Sequence, residues 1–183
     1  MGYKVALDKA WEQLNGLGLK GQEQVRFLAD EYSVDPQARQ VLSLSCNALA
    51  KEYSAILILH YLAQKLKGLP ALTNQWASFK ELFRIEGYAA AFRKRSIEPI
   101  IRKYGSNPQG LLDVLDRLPA KRVDQADIGI IIDVFTGVPT LVELWRGDEE
   151  FAAEANILFD KSVNKIFNAE DLAVLASFIA SQL

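Results

Sequence analysis

Cysteine, histidine and methionine each occur once in the 183 residues. A lone Cys46 excludes an internal disulfide and any cage built only from cysteines, whether zinc or iron–sulfur, within one chain. With His60 as the only imidazole, a zinc site of the usual His/Cys kind, which needs three or four ligands, is also out of reach. There is no excess of one charge: 21 Lys plus Arg stand against 23 Asp plus Glu, a net charge of -2. General nucleic-acid binding normally needs a basic surplus, so it is not expected. No apolar run approaches the roughly 20 residues that span a bilayer, and the N-terminus lacks a signal-peptide pattern. These absences lead us to expect a soluble, cytoplasmic chain. No G-x-x-x-x-G-K-[ST] phosphate loop occurs, and no G-x-S-x-G nucleophile elbow. The three tryptophans are too dispersed for a base-stacking platform.

Half of the residues are hydrophobic, enough for one core in a single domain over residues 1–183. Tyr3, Ala6, Leu7, Ala10, Trp11 and Leu14 recur at helical spacing, and Gly16 and Gly18 end that helix. Val25, Leu28 and Ala29 predict a second helix over 22–32, stopping before Pro36. Residues 40–46 alternate as a short strand. The most apolar stretch, 48–67, predicts a buried helix. Ser78-Phe79-Lys80-Glu81 has the spacing of a capping box. Residues 88–104 read as one or two helices broken near Ser96 and Pro99, and Asn107-Pro108 opens another.

From Asp127 the character changes. The β-branched run Ile128–Phe135, the step Thr136-Gly137 and the run Thr140–Arg146 predict a hairpin, with a third strand over 156–159. Asn168 caps a last helix with Glu170 and Asp171 in its first turn. The expected fold is α+β: a helical N-terminal two thirds packed on a small antiparallel sheet formed mainly by residues 127–159, with a C-terminal helix.

Few residues carry chemistry. His60 sits in Ile-Leu-Ile-Leu-His-Tyr-Leu, which suits an imidazole satisfied inside a core; the sharper reading makes it a ligand or base. Cys46 reads as a small hydrophobe. Asp148 and Glu150, in an acidic run, together with the later Asp160, could hold magnesium or calcium, or do general acid/base work. The plainer reading has Asp148 closing a turn and Asp160 capping a helix that begins near Lys161, separated by antiparallel pairing of their strands. Arg84, Arg93, Lys94, Arg95, Arg102 and Lys103 concentrate positive charge, either as a solvated helix face or as a seat for a phosphate or acidic partner.

Several stretches are similar to one known family. Residues 144–151 (LWRGDEEF), 156–160 (NILFD) and 168–172 (NAEDL), with 56–62 (ILILHYL) and 76–82 around Ser78-Phe79, resemble an uncharacterised prokaryotic family, domain of unknown function 3786. The resemblance spans nearly the whole chain in the family's order. It implies a setting in anaerobic bacteria and archaea, where some members carry a fused iron–sulfur segment. A chain with Cys46 alone cannot inherit that cluster. The likeness weakens at Phe135-Thr136-Gly137-Val138-Pro139, where the family pattern has an extra proline after the aromatic residue. It implies no activity and no cofactor. The expected function is an accessory binding module for a small ligand, cofactor or protein partner, with Asp148, Glu150, Asp160 and His60 as candidate ligand-binding residues. A carboxylate- or divalent-metal-dependent enzyme and a structural or homo-oligomeric module are the alternatives.

Overall fold

The computed structural model describes residues 2–85 and 87–183. It opens with helix α1 (Tyr3–Gly16), which buries Ala10, Trp11 and Leu14. Four strands follow: β1 (Glu23–Phe27), β2 (Asp30–Asp35), β3 (Gln40–Ser43) and the two-residue β4 (Ala48–Leu49). Each is antiparallel to the one before. The helix expected over 22–32 is therefore a hairpin. Phe27 pairs with Asp30 across the two-residue turn Leu28-Ala29, and Leu28 takes a left-handed φ of 54°. Pro36 lies in the next turn, closed by the Asp35 carboxylate, which accepts from the backbone of Gln37 and Ala38.

Helix α2 (Glu52–Lys67) is the expected buried helix, shortened at its start by β4. Leu57, Ile58, Leu59 and Leu62 are almost fully withdrawn from water. Strand β5 (Trp76–Ser78) leads into α3 (Phe79–Phe83), where Ser78 and Glu81 form the reciprocal capping box. Next come α4 (Ala89–Phe92), a π-helical turn over Arg93–Ile97, and α5 (Glu98–Tyr104) with Pro99 in its first turn. The wide turn is a natural answer to Pro99, which lacks a donor and would clash with the carbonyl four residues back. Residues Pro108–Asp116 wind as 3-10 helix, without the Asn107 side-chain cap that the sequence suggested.

Strands β6 (Ala120–Val123), β7 (Ile128–Phe135), β8 (Val138–Trp145) and β9 (Glu154–Asp160) complete the sheet. The hairpin of β7 and β8 turns at Thr136-Gly137 and is central, as expected. Helix α6 (Ala169–Gln182) follows a 3-10 turn over Lys161–Lys165.

The sheet corrects the expected fold class. Among the described residues it has nine strands, in the order β4-β3-β2-β1-β7-β8-β9-β5, with β6 also pairing β7. It is large rather than small, and the helices are interspersed with strands rather than gathered in the first two thirds. The two meanders join along one edge of β7, which β6 and β1 share. β6 covers Gly129–Ile132, while β1 meets β7 at the single pair Phe27–Phe135. Side chains reinforce that narrow seam. Arg26 grips the Asp133 carboxylate at 2.6 Å and its carbonyl at 2.7 Å, and Phe135 is stacked between Phe27 and Tyr61, with ring centroids 4.6 and 4.5 Å away. Behind the sheet, α2 and α6 supply the centre of one continuous core. Among the described residues no helix is long and apolar enough to cross a membrane.

Candidate functional site

Helix α2 buries nine of its residues, and His60 lies at the margin of that apolar surface. The N-terminus of α6 meets it there. Asn168 and Asp171 cap α6 reciprocally: the Asp171 amide donates to Asn168 Oδ1 at 2.9 Å, and the Asn168 amide donates to Asp171 Oδ2 at 3.2 Å. The same Oδ2 lies 2.8 Å from His60 Nδ1. One carboxylate thus ends a helix and orients the chain's sole imidazole. The Asp171 side chain is 7% exposed and that of His60 22%, so the pair is sheltered but reachable.

An ionised Asp171 makes Nδ1 the donor, which leaves Nε2 as an acceptor in neutral imidazole. Among the described residues Nε2 has no hydrogen-bonding partner within the chain. His60 and Asp171 form part of the wall of a cleft of about 600 Å³ that also receives Gln13, Gln64, Lys67, Asn164 and Lys165. On their other side lies a narrow cavity of about 70 Å³ lined by Tyr53, Ile56 and Leu57. Two ammonium groups, several amides and an oriented imidazole suit a small anionic, hydrogen-bonding ligand. Among the described residues no serine, threonine or cysteine lines either cavity. An imidazole that activates a nucleophilic hydroxyl or thiol needs one within hydrogen-bond reach. Cys46 lies instead in the turn between β3 and β4, its Sγ 3.1 Å from Ser43 Oγ.

The other three sequence candidates lie elsewhere. Asp148 is exposed in the connection between β8 and β9, where it accepts from the amides of Phe151 at 2.7 Å and Glu150 at 2.9 Å. Those backbone bonds hold its carboxyl below the usual range. Glu150 is exposed in the same turn. Asp160 ends β9 at the opposite end of the ladder: Trp145 pairs with Glu154 beside the turn, and Asp160 pairs with Trp76. Six residue steps along β9 separate 154 from 160, roughly 20 Å. The fold does not bring Asp160 to Asp148 or Glu150. Among the described residues no group of three or more His, Cys, Asp or Glu converges to hold a metal ion.

Asp160 is itself a structural hub. It is 3% exposed and accepts from the amides of Ser162, Thr73 and Asn74 and from the Thr73 hydroxyl, at 2.7 to 3.0 Å. Burial pushes its pKa up, but the bonds from Ser162 and Thr73 outweigh burial and bring it down to about 2. It caps the turn at Lys161 and ties the 73–74 segment to β9.

Sequence reasoning singled out His60 but read Asp171 only as a first-turn acid. The spacing Asn168-x-x-Asp171 signals a capping box; nothing in it signals an imidazole 111 positions away. A family model described as a domain of unknown function (DUF3786) matches residues 9–182. No curated protein and no solved structure matches the chain.

Proposed function

We propose, for a chain that belongs to the DUF3786 family, an accessory binding module whose cleft beside His60 receives a small anionic ligand. The observation that carries this reading is the His60–Asp171 contact at the cleft wall: a buried carboxylate fixes one ring nitrogen and leaves the other open. Lys67 and Lys165 supply positive charge to the same cleft, and its amide side chains supply directional donors and acceptors. Binding is favoured over covalent nucleophilic catalysis because, among the described residues, no serine, threonine or cysteine lines the dyad's cavities. As part of the same proposal, the module is one domain over residues 1–183. It works in the cytoplasm of anaerobic prokaryotes, the setting that the family resemblance implies.

The test is NMR titration of the full chain, following the His60 ring and the Asn168 amide, with inorganic phosphate, succinate and citrate as probes. Saturable shifts at both positions are expected for at least one probe, weakened about tenfold in H60Q and in K67Q/K165Q. Absence of saturable shifts for all three probes, or equal affinity in wild type and both variants, would overturn the reading.

A further inference from the structure

A second cavity, of about 350 Å³, lies farther along α6, where α1, α2 and the segment containing the π-helical turn meet that helix. It shares Tyr3, Tyr53 and Val174 with the narrow cavity behind His60, but its chemistry differs. Four aromatic side chains line it: Tyr3 from α1, Tyr53 from α2, Tyr88 ahead of α4, and Phe178 from α6. Tyr53 is the middle of a tilted row, 6.2 Å from Tyr3 at 60° and 5.3 Å from Phe178 at 44°. Tilted rings present both faces and edges to the space between them, the arrangement in which a further flat ring finds partners.

Among the described residues the only charged group in that lining is Arg95. The π turn separates the fates of neighbouring basic residues. Arg93 reaches Glu154 on β9 at 3.4 Å, and Ser96 is buried with its hydroxyl 3.4 Å from that of Ser177 on α6. Arg95 is left exposed at the cavity, and among the described residues it has no ion pair. π-Helical turns are frequent at functional sites because the extra residue re-aims side chains. The two serine hydroxyls of the lining are already donors to backbone: Ser177 to Ala173 at 3.0 Å and Ser181 to Phe178 at 2.7 Å. Arg95 is therefore the principal anion-directed group, with a planar fork that matches a carboxylate or phosphate in two-point contact.

We infer that this cavity is a second binding site, for a planar aromatic ring bearing an anionic group, with the ring among Tyr3, Tyr53, Tyr88 and Phe178 and the anion on Arg95. The volume suits a molecule of one or two rings. Of the basic concentration noted in the sequence, Arg95 is the member that meets an aromatic lining.

The experiment is amide NMR titration of the full chain with 2-naphthoate as probe, alongside neutral 2-naphthamide and the non-planar acid cyclohexanecarboxylate. Arg95 is exposed, so R95Q and R95K leave packing intact. Saturable shifts by 2-naphthoate are expected at Tyr53, Val174, Ser177 and Phe178. R95Q should weaken its binding about tenfold, R95K less, because the charge persists without the fork. The two control compounds should bind wild type about tenfold or more weakly than 2-naphthoate. H60Q should leave 2-naphthoate binding unchanged, which separates this site from the His60 cleft. No saturable shift below about 10 mM, shifts centred on His60, or equal affinity in wild type and R95Q would overturn the inference.

Discussion

Replacing Asp171 by alanine removes two hydrogen bonds at once, because Oδ2 accepts both from His60 Nδ1 at 2.8 Å and from the Asn168 amide at 3.2 Å. A hydrogen bond to a charged group contributes about 1.5–3 kcal/mol, and half of a capping box adds about 0.5–1 kcal/mol. Together these put the expected cost of D171A at about 2–4 kcal/mol. In a chain of this length that lowers Tm by about 5–15 °C. D171N keeps an oxygen for both donors and should cost only about 1 kcal/mol. Urea titration of wild type, H60A, D171A and the double variant gives the coupling between the side chains, expected at about 1–2 kcal/mol for a sheltered charge-assisted contact. A coupling below about 0.3 kcal/mol would show that the contact organises nothing, and the argument for a pre-oriented imidazole would fail with it.

Three further outcomes follow from burial and geometry. Asp160 has a folded pKa depressed to about 2 against an ordinary carboxylate near 3.9, so its contribution to stability is full above about pH 4 and is lost as pH falls toward 2. D160N should flatten the acid limb of a stability–pH curve in that window while costing about 2–4 kcal/mol at neutral pH; an unchanged limb refutes the assignment. Leu59 is fully buried in α2, and L59A should cost about 2–5 kcal/mol by denaturant titration, with a loss under about 1 kcal/mol contradicting its place in the core. A Cβ on Gly129 would meet the Gln125 carbonyl oxygen at 2.6 Å and that of Val123 at 3.2 Å, so G129A should loosen the β6–β7 hairpin and raise amide exchange in β6, whereas wild-type protection there would refute the clash.

The elements visible in the sequence are those whose pattern and punctuation agree. Between β7 and β8 a β-branched run is broken by Thr136-Gly137, and Gly137 does take the positive φ, 80°, for which glycine is suited. In α2 an apolar run too long for a strand ends at lysines and Gly68, and it is a helix. The first sheet hairpin fails on both counts. Its turn is Leu28-Ala29, with neither glycine nor asparagine, and Val25, Leu28 and Ala29 mimic the i, i+3, i+4 spacing of a helix face. The competing period of two was present in the same residues: Val25 and Phe27 on β1, and Val34 on β2, point to the core. Cross-strand partners decided between the periods, and those lie outside any local window. With that hairpin misread, the sheet loses β1 and β2 outright, and the expected fold shrinks to its C-terminal half.

For the candidate site the chemistry was legible and the juxtaposition was not. His60 looks buried because Ile56–Leu59 before it and Leu62-Ala63 after it are apolar, yet burial alone leaves an imidazole without a partner, and a polar ring in a core demands one. The Asp148–Glu150 run drew attention for its charge density, whereas exposed carboxylates of a turn satisfy their own backbone. The more consequential acids are the isolated ones. Asp160 and Asp171 each stand beside a helical start, each is under 10% exposed, and each joins segments more than 80 positions apart. A carboxylate withdrawn from water has to be matched by several donors, and only the folded chain gathers those donors from distant segments. The His60 cleft inherits its order from that requirement. Asp171 is held by the cap of α6, α6 packs on α2, and α2 carries His60, so the imidazole is fixed by two helices rather than by a loop.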